Sequence, residues 1–313
     1  MSNFILIFLC LALGVLLKRT RRFPGETAQV LNAFVIHVSL PAVILVQIPS
    51  LIRSAELNTE MLIPISMAWI CFFLSWVFFS FLGKRLGWSQ AEEGALILTA
   101  GLGNTSFVGF PLLEAFYGPR SIPVGILIDQ LGSFLVLSTI GLIVAARYGQ
   151  KENAQFSWKK VAKNILTFPP FVSLLVAVLW HFLGTPGHMF IHPVFEKLGS
   201  TLVPLALVAV GFQLSVSKAV VQRQGGPLAW GLAYKLLLAP LLMMLLYVGA
   251  LGSQSLSTQI TILEAAMAPM ITASVVASEF GLKAEIASLM VGIGIPLSLI
   301  TVPLWYRLLE IIL

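Results

Sequence analysis

Two carboxylates lie inside apolar stretches of this sequence, where an ionisable group is costly and usually has a function. Glu264 lies five residues before Pro269, and Asp129 lies beside Gln130. A carboxylate in apolar surroundings can ligate Na⁺, carry a proton or pair with a neighbouring helix. We therefore assign ion coupling to Glu264 and Asp129, with Na⁺ or H⁺ as the coupling ion and Glu264 as the Na⁺ ligand in the first case. The alternative for Glu264 is pairing with a neighbouring helix, and the alternative for Asp129 is an ordinary buried hydrogen-bond acceptor.

A polar segment among glycines is the second feature. The stretch 99–111 contains three glycines as well as Pro111, and these residues weaken a continuous helix. Asn104, Thr105 and Ser106 lie in its middle, where they can satisfy freed backbone groups or bind a ligand. We assign all three residues to substrate binding, and Asn104 to ion coupling as well.

Four further residues complete the predicted substrate site. Pro269 lies within an apolar stretch, where its missing N–H breaks or kinks a helix, and Met270 follows it. Two matched interruptions would offer N–H groups at half-helix starts, which suit an anion, and carbonyls at half-helix ends, which suit a cation. Pro41 and Pro204 are expected to break two other helices at matching depths and to line the substrate path. A packing kink is the alternative at each proline.

The composition indicates that these residues are embedded in a membrane. Of the 313 residues, 58% are hydrophobic and only 10% are charged, whereas soluble domains carry roughly 25% charged residues. The net charge of +6 comes from basic residues in short loops, so a nucleic-acid partner is not expected and membrane lipid is. Cys10 and Cys71 lie apart in apolar runs, which argues against a disulfide, a metal site or another cofactor.

Apolar runs of the right length predict ten transmembrane spans. Their expected bounds are 3–17, 28–48, 61–83, 91–116, 120–146, 164–184, 198–216, 228–251, 258–280 and 284–309. Fourteen of the 19 Lys and Arg residues lie in loops after odd-numbered spans, whereas the other loops and the C-terminal end hold four. By the positive-inside rule, a multi-pass protein of the inner (plasma) membrane with both termini outside is expected. The remaining basic residue, Lys235, lies within span eight, where it snorkels to the surface, pairs with a carboxylate or attracts anions.

The chain also contains an internal repeat. Pro41 and Pro204 are 163 residues apart (204 − 41 = 163), and so are Gly118 and Gly281 (281 − 118 = 163). The same offset places Ser106 on Pro269 and relates spans one to five to spans six to ten. Because five is odd, the second repeat has inverted topology.

These observations predict an all-α polytopic membrane protein with ten transmembrane helices in two inverted five-helix repeats, whose broken helices four and nine cross. The first repeat covers 1–150, a cytoplasmic loop covers 151–163, and the second repeat covers 164–313. Alternating access follows naturally, because inverted copies can exchange conformations.

The residues of three segments also resemble a known family. The segments are Gly103–Leu112 (GNTSFVGFPL), Ser39–Ala42 (SLPA) and Pro204–Leu207 (PLAL), and they are similar to bacterial members of the auxin efflux carrier family, related to plant PIN and PILS carriers and to the bile acid:sodium symporter superfamily. The resemblance implies a fold like that of bile acid symporters and sodium/proton antiporters. It further implies a scaffold domain of helices 1, 2, 6 and 7 and a transport domain of helices 3–5 and 8–10. The substrate would bind between these domains. Related elevator-type proteins are often dimers, so a homodimer is expected.

The resemblance bears on the site residues too. The spacing of Glu264 and Pro269 is similar to that in bile acid symporters, where a glutamate five residues before the crossing ligates Na⁺. Those relatives have an asparagine at the crossing of helix nine. This chain has Pro269 there, and a proline at this position is closer to the PIN pattern. PIN carriers also have a proline at the first crossing, where this chain has Gly103-Asn104. Auxin is therefore not the expected substrate.

The predicted function is secondary active transport of a small mono- or dicarboxylate by an elevator-type mechanism, coupled to Na⁺ or H⁺. A channel is one alternative, which single-channel currents would distinguish from saturable counterflow. An intramembrane enzyme or a sensor is the other. We do not expect an enzyme, because Asp129 is the only aspartate within a span and no nucleophile elbow is found. A sensor would usually add a soluble output domain.

Overall fold

The computed structural model describes residues 2–20, 22–54, 61–149, 157–183, 188–214 and 218–313. Regular secondary structure in these ranges is helical, apart from one isolated β-bridge. The α-helices are α1 Ser2–Thr20, α2 Thr27–Phe34, α3 Leu40–Ser54, α4 Leu62–Leu86, α5 Gln90–Gly101, α6 Phe110–Tyr117, α7 Ile122–Leu127, α8 Leu142–Tyr148, α9 Trp158–Thr167, α10 Pro169–Leu183, α11 His188–Gly199, α12 Leu202–Gln213, α13 Lys218–Ala233, α14 Ala239–Met244, α15 Leu256–Ala265, α16 Ile271–Glu279 and α17 Ala284–Ile312. Wider π-helical turns extend or join several of them, at Val35–Ser39, Thr105–Gly109, Ile128–Phe134, Leu137–Gly141, Tyr234–Leu238 and Leu245–Ala250.

Six continuous helices in the described ranges are long and apolar enough to cross a membrane. They are Thr27–Ser50, Leu62–Leu86, Pro119–Tyr148, Ile191–Gln213, Gln224–Ala250 and Ala284–Ile312. Residues Val161–Thr167 and Pro169–Leu183 form a pair bent by 62° at Phe168, which makes a seventh if it is counted as one span. The protein is therefore an all-helical, multi-pass membrane protein.

The structure has six or seven such helices where the sequence predicts ten spans, and two broken helices account for part of this difference. Predicted span four is divided into α5 and α6, and predicted span nine into α15 and α16. Each of these half-helices has 8 to 12 residues, which is too short to cross a bilayer alone.

The chain folds into two compact units. The first unit comprises Met1–Met61, Ser106–Ile126 and Lys163–Leu214, and the second comprises Leu62–Thr105, Leu127–Ala162 and Ser215–Leu313. In the first unit, α1 packs along α12, and α3 packs against α10 and α11. Gly14 and Gly211 make the α1–α12 approach close, because a Cβ on Gly14 would overlap the Val208 carbonyl and one on Gly211 the Leu11 carbonyl. Small residues at an interface are a common means of helix association in membranes.

The second unit is built around α4, α5 and α17, which pack against α8, α13, α15 and α16. Two of its buried aromatic side chains donate hydrogen bonds to backbone carbonyls. The Tyr234 hydroxyl donates to the Cys71 carbonyl at 2.8 Å, and the Trp305 indole donates to the Leu236 carbonyl at 2.9 Å. Such bonds are needed in a medium without water, where an unsatisfied polar group costs several kcal/mol.

The outer surfaces of α4 and α17 carry large apolar side chains. Phe73, Val77 and Phe81 on α4 are exposed at a spacing of four residues, and Ile300 and Leu304 on α17 repeat the pattern. Residues four apart lie on one helix face. A soluble protein seldom exposes such continuous apolar stripes, whereas lipid accepts them.

The structure corrects several local predictions. Pro41 does not break its helix, because the π-helical turn Val35–Ser39 precedes it and the helix continues as α3. Pro204 lies in the first turn of α12, where its missing N–H would have no helical partner anyway. The predicted loop 151–163 is helical from Trp158 as part of α9, while 151–156 lie outside the described residues.

Candidate functional site

The break between α5 and the following helical turn is created by small residues. Ser89 caps the start of α5 by accepting a hydrogen bond from the Glu92 amide, and α5 ends at Gly101. Leu102 then takes an extended conformation (φ −118°, ψ 132°), and helical structure resumes at Thr105. A Cβ on Gly101 would lie 3.2 Å from the Phe72 Cα, so glycine permits α4 to approach closely here.

The second break lies where the sequence predicts it, at Pro269. Helix α15 ends at Ala265, and α16 begins at Ile271 after Met270 in an extended conformation (φ −70°, ψ 125°). Proline disfavours a helical conformation in the preceding residue and supplies no N–H. The first turn of α16 has no side-chain cap from Met270, so backbone N–H groups are available there.

The two interruptions pair with each other through their backbones. The Asn104 amide donates to the Ala268 carbonyl at 2.7 Å, and the Met270 amide donates to the Leu102 carbonyl at 3.0 Å. These bonds form an antiparallel bridge centred on Gly103 and Pro269, which we call the crossing. The pairing satisfies extended backbone that lipid could not tolerate.

The register of the crossing differs from the predicted one. The 163-residue offset places Ser106 on Pro269, whereas the structure pairs Pro269 with Gly103 (269 − 103 = 166). The reason is a difference in segment length: fifteen residues separate Gly103 from Gly118 (118 − 103 = 15), but twelve separate Pro269 from Gly281 (281 − 269 = 12). Ser106 lies further along the π-helical turn Thr105–Gly109 and is half-buried.

Glu264 is completely buried at the end of α15, one residue before the helix stops. Neither of its carboxylate oxygens has a hydrogen-bond partner among the described residues. Asp129 and Lys235 are the charged groups that act on it electrostatically. A buried carboxylate without hydrogen bonds is expected to bind a proton or a cation, because an isolated buried charge is very costly.

Asp129 lies in the π-helical turn Ile128–Phe134 and is 4% exposed. The Thr105 hydroxyl donates to its Oδ1 at 2.5 Å, and the Gln130 side-chain amide donates to its Oδ2 at 2.7 Å. Thr105 is the first residue of the helical segment that follows the crossing. The Asp129 carboxylate is therefore bonded at the positive end of that segment, where a negative charge is stabilised.

For Lys235 the sequence leaves snorkelling and pairing open, and the structure excludes snorkelling. The residue is 1% exposed and its Nζ donates to the Ala265 carbonyl at 2.8 Å, at the end of α15. No carboxylate lies within 4 Å of its Nζ in the described part of the chain. In the sequence, Lys235 is the only lysine or arginine deep within a predicted span. That position could have indicated a functional role for the residue.

The Thr105–Asp129 bond is open to a direct test. Thr105→Val should destabilise the protein by about 1–3 kcal/mol, because it removes a donor to a buried carboxylate. The measurement is the thermal unfolding midpoint of purified protein. Thr139→Val is the matched control, since the Thr139 hydroxyl donates to a backbone carbonyl one turn earlier, that of Leu135, at 2.5 Å. Equal effects of the two variants would contradict a special role for the bond.

The first unit contains a separate cavity of about 340 Å³. Pro204 lines it together with Phe110 and Pro111, so two of the sequence segments that carry the family resemblance meet there. The polar residues Gln47, Ser200, Glu114 and Glu196 are also among its lining residues. Pro41 does not line this cavity.

A metal centre is not evident from the side chains. Groups of three or more His, Cys, Asp or Glu residues that could hold a metal ion do not occur in the described ranges. The Nδ1 atom of His192 lies 3.6 Å from a carboxylate oxygen of Glu196 within α11. The contact joins two side chains four residues apart on one helix face.

Comparisons with known proteins relate this chain to membrane transporters. A family profile described as "Membrane transport protein" matches residues 1–306. A protein of Methanothermobacter thermautotrophicus named "Uncharacterized transporter" is 26% identical over 302 residues, covering 96% of this chain and 95% of its own length. "Uncharacterized transporter YfdV" of Escherichia coli is 24% identical over 308 residues, covering 96% and 94%.

A third relative carries a substrate in its name. The "Putative malonate transporter" of Rhizobium meliloti is 25% identical over 295 residues, covering 93% of this chain and 89% of its own length. All three alignments extend through both halves of the chain, so the likeness is not confined to one motif. With the profile match over nearly the whole length, this chain belongs to the auxin efflux carrier family of membrane transport proteins.

Proposed function

We propose that this protein is a secondary active transporter that moves a small mono- or dicarboxylate across the inner membrane by an elevator-type alternating-access mechanism. The observation that carries the proposal is the crossing, where two broken helices pair beside the buried carboxylate of Glu264, whose oxygens have no hydrogen-bond partner in the described ranges. Half-helix ends of this kind form substrate and ion sites in secondary transporters. The proposed topology has both termini outside and ten spans.

Substrate binding is assigned to the positive ends of the half-helices. The free N–H groups at the start of α16, next to Met270, suit one carboxylate of an anion. Thr105 and Ser106 begin the other half-helix, directly after Asn104, and the three residues are proposed to supply polar groups to the substrate. Pro269 interrupts the helix because it has no backbone N–H to donate.

Two local features support the inverted repeat. Ser89 and Ser255 cap α5 and α15 in the same way, and each lies fourteen residues before its half of the crossing (103 − 89 = 14; 269 − 255 = 14). In addition, the positive-φ glycines that the structure describes fall at corresponding turns of the two halves. They are Gly87 and Gly118 in the first half and Gly252 and Gly281 in the second.

The proposed elevator-type cycle needs one domain that stays fixed in the membrane and one that moves. Helices 1, 2, 6 and 7 of the predicted ten are proposed as the scaffold domain and helices 3–5 and 8–10 as the transport domain. Glu264 is proposed to carry the coupling Na⁺ or H⁺, with Asp129 as the second coupling carboxylate. A homodimer is the proposed assembly.

Counterflow in proteoliposomes tests the function. Vesicles containing purified protein are loaded with unlabelled malonate and diluted into labelled malonate, with acetate, succinate and lactate as competitors. Malonate is the first probe because of the name of the Rhizobium meliloti relative. A carrier gives saturable, transient accumulation of label that empty vesicles lack. Ohmic single-channel currents without counterflow would instead support a channel.

A zwitterion is the second candidate substrate. Two acidic residues, Glu114 and Glu196, are among the lining residues of the cavity in the first unit, and negative charge there would attract an ammonium group and repel a dianion. The competitor set should therefore include small amino acids. Competition by an amino acid, with none by the dicarboxylates, would favour this class.

A further inference from the structure

Lys235 has one partner among the described residues, and that partner is backbone. The residue lies in the π-helical turn Tyr234–Leu238 between α13 and α14 and is buried. Its Nζ donates 2.8 Å to the carbonyl of Ala265, the last residue of α15. The usual explanation for a buried lysine, a salt bridge with a carboxylate, therefore does not apply in the described part of the chain.

The end of α15 is where a cation is expected to bind. The last carbonyls of a helix carry partial negative charge. At the end of α15, the Glu264 carbonyl accepts a hydrogen bond from the Met267 amide, and the Ala265 carbonyl accepts one from Lys235. Glu264, with two unbonded oxygens, directly precedes Ala265. A carboxylate with adjacent backbone carbonyls is an oxygen-rich set of the kind that hard cations prefer.

The structure makes room for the ammonium group at this point. A Cβ on Gly103 would lie 3.0 Å from Lys235 Nζ and 3.4 Å from the Glu264 carbonyl oxygen. Nζ therefore reaches the carbonyls at the end of α15 past a residue without a side chain. Any larger residue at position 103 would compete with the ammonium for this space.

The other titratable groups around Lys235 are accounted for. Glu264 on α15 and the Cys71 thiol on α4 are the titratable groups near it. Asp129, from the turn Ile128–Phe134, acts on Glu264 and is bonded to Thr105 and Gln130. Lys235 is thus the positive group placed at the negative end of α15.

We infer that Lys235 is a resident cation that occupies the position a sodium ion would take at the end of α15, so that Glu264 exchanges a proton rather than Na⁺. This inference rests on the proposed transport function and names its coupling ion. In the cycle, the Glu264 carboxylate takes a proton from water on one side of the membrane and releases it to water on the other. Lys235 stays protonated and is a positioning residue throughout.

Sodium binding tests the inference without a substrate. The unfolding midpoint of the purified full-length protein is followed while NaCl replaces choline chloride at constant ionic strength. The wild-type midpoint should not change. In Lys235→Met the vacated position should admit Na⁺, and the midpoint should rise by about 3 °C or more. Lys235→Arg should remain insensitive to Na⁺, because it keeps the charge.

Lys84→Met is the matched control, since it removes an exposed lysine of the same unit and should give no response to Na⁺. A rise of the wild-type midpoint specific to Na⁺ would overturn the inference. So would a folded Lys235→Met protein that ignores Na⁺.

Transport separates this inference from the function on which it rests. Wild-type malonate counterflow should be equal in sodium and choline, and a requirement for sodium would overturn the inference even if Lys235→Met does not fold. Absence of counterflow of every carboxylate in both salts would contradict the transport proposal instead, while the melting experiment on the wild type still decides the sodium question.

Discussion

Replacing Glu264 with glutamine is expected to abolish gradient-driven accumulation of substrate while substrate exchange continues. Glutamine has nearly the same shape as glutamate but cannot release a proton, so the side chain at position 264 stays uncharged. With a gradient of about one pH unit and one proton per substrate, coupling supplies about tenfold accumulation, or about 1.4 kcal/mol. The measurement compares pH-driven uptake with malonate counterflow in the same proteoliposomes. The variant should lose the first and keep the second.

Glu279→Gln is the matched control for this variant. Glu279 ends α16 and is exposed, so its removal changes the charge of the same helix pair without touching the crossing. It should retain both activities. If Glu264→Gln accumulates substrate in response to the gradient as the wild type does, then Glu264 is not the coupling residue.

Gly294→Ala should have the second large effect, on both stability and transport. A Cβ on Gly294 of α17 would lie 2.8 Å from Cγ of Pro269 and closer still to its Cδ. The proline ring is rigid, so the added methyl group must displace the backbone of the crossing or move α17. Overpacking of this kind costs about 1–3 kcal/mol. We expect the unfolding midpoint to fall by about 3 °C or more and counterflow to be lost.

Gly249→Ala provides the comparison. Gly249 also lies in a helical segment of the second unit, Leu245–Ala250, but a Cβ there would meet nothing within 4 Å. The alanine should be neutral or slightly stabilising, because it removes the entropy penalty of a helical glycine. A Gly294→Ala protein with wild-type melting and counterflow would mean that the crossing tolerates movement of Pro269.

The charges at the crossing show a consistent arrangement. Asp129 is bonded to the residue that begins one half-helix, and Lys235 to the residue that ends another. Each charge opposes the sign of the helix end it meets. Glu264 is the group left without such a partner, which is why it, rather than Asp129, is expected to change its protonation during transport.

Several features depended only on local chemistry and were predicted from the sequence. The apolar runs require a membrane whatever their neighbours are, so the all-helical, multi-pass architecture followed from composition and length. Both helix breaks were predicted as well. Gly101 and Gly103 weaken a helix through their own flexibility, and Pro269 does so through its missing N–H.

Other features were decided by the tertiary structure, because they depend on distances between residues far apart in the chain. Pro41 stays in a continuous helix because the π-helical turn Val35–Ser39 precedes it. The presence of a proline in the sequence does not indicate whether such a turn forms. The pairing of Gly103 with Pro269 depends on segments that differ by three residues between the halves. The hydrogen bond from Lys235 to Ala265 spans thirty residues, and burial rather than residue type determines that its ammonium remains at the crossing.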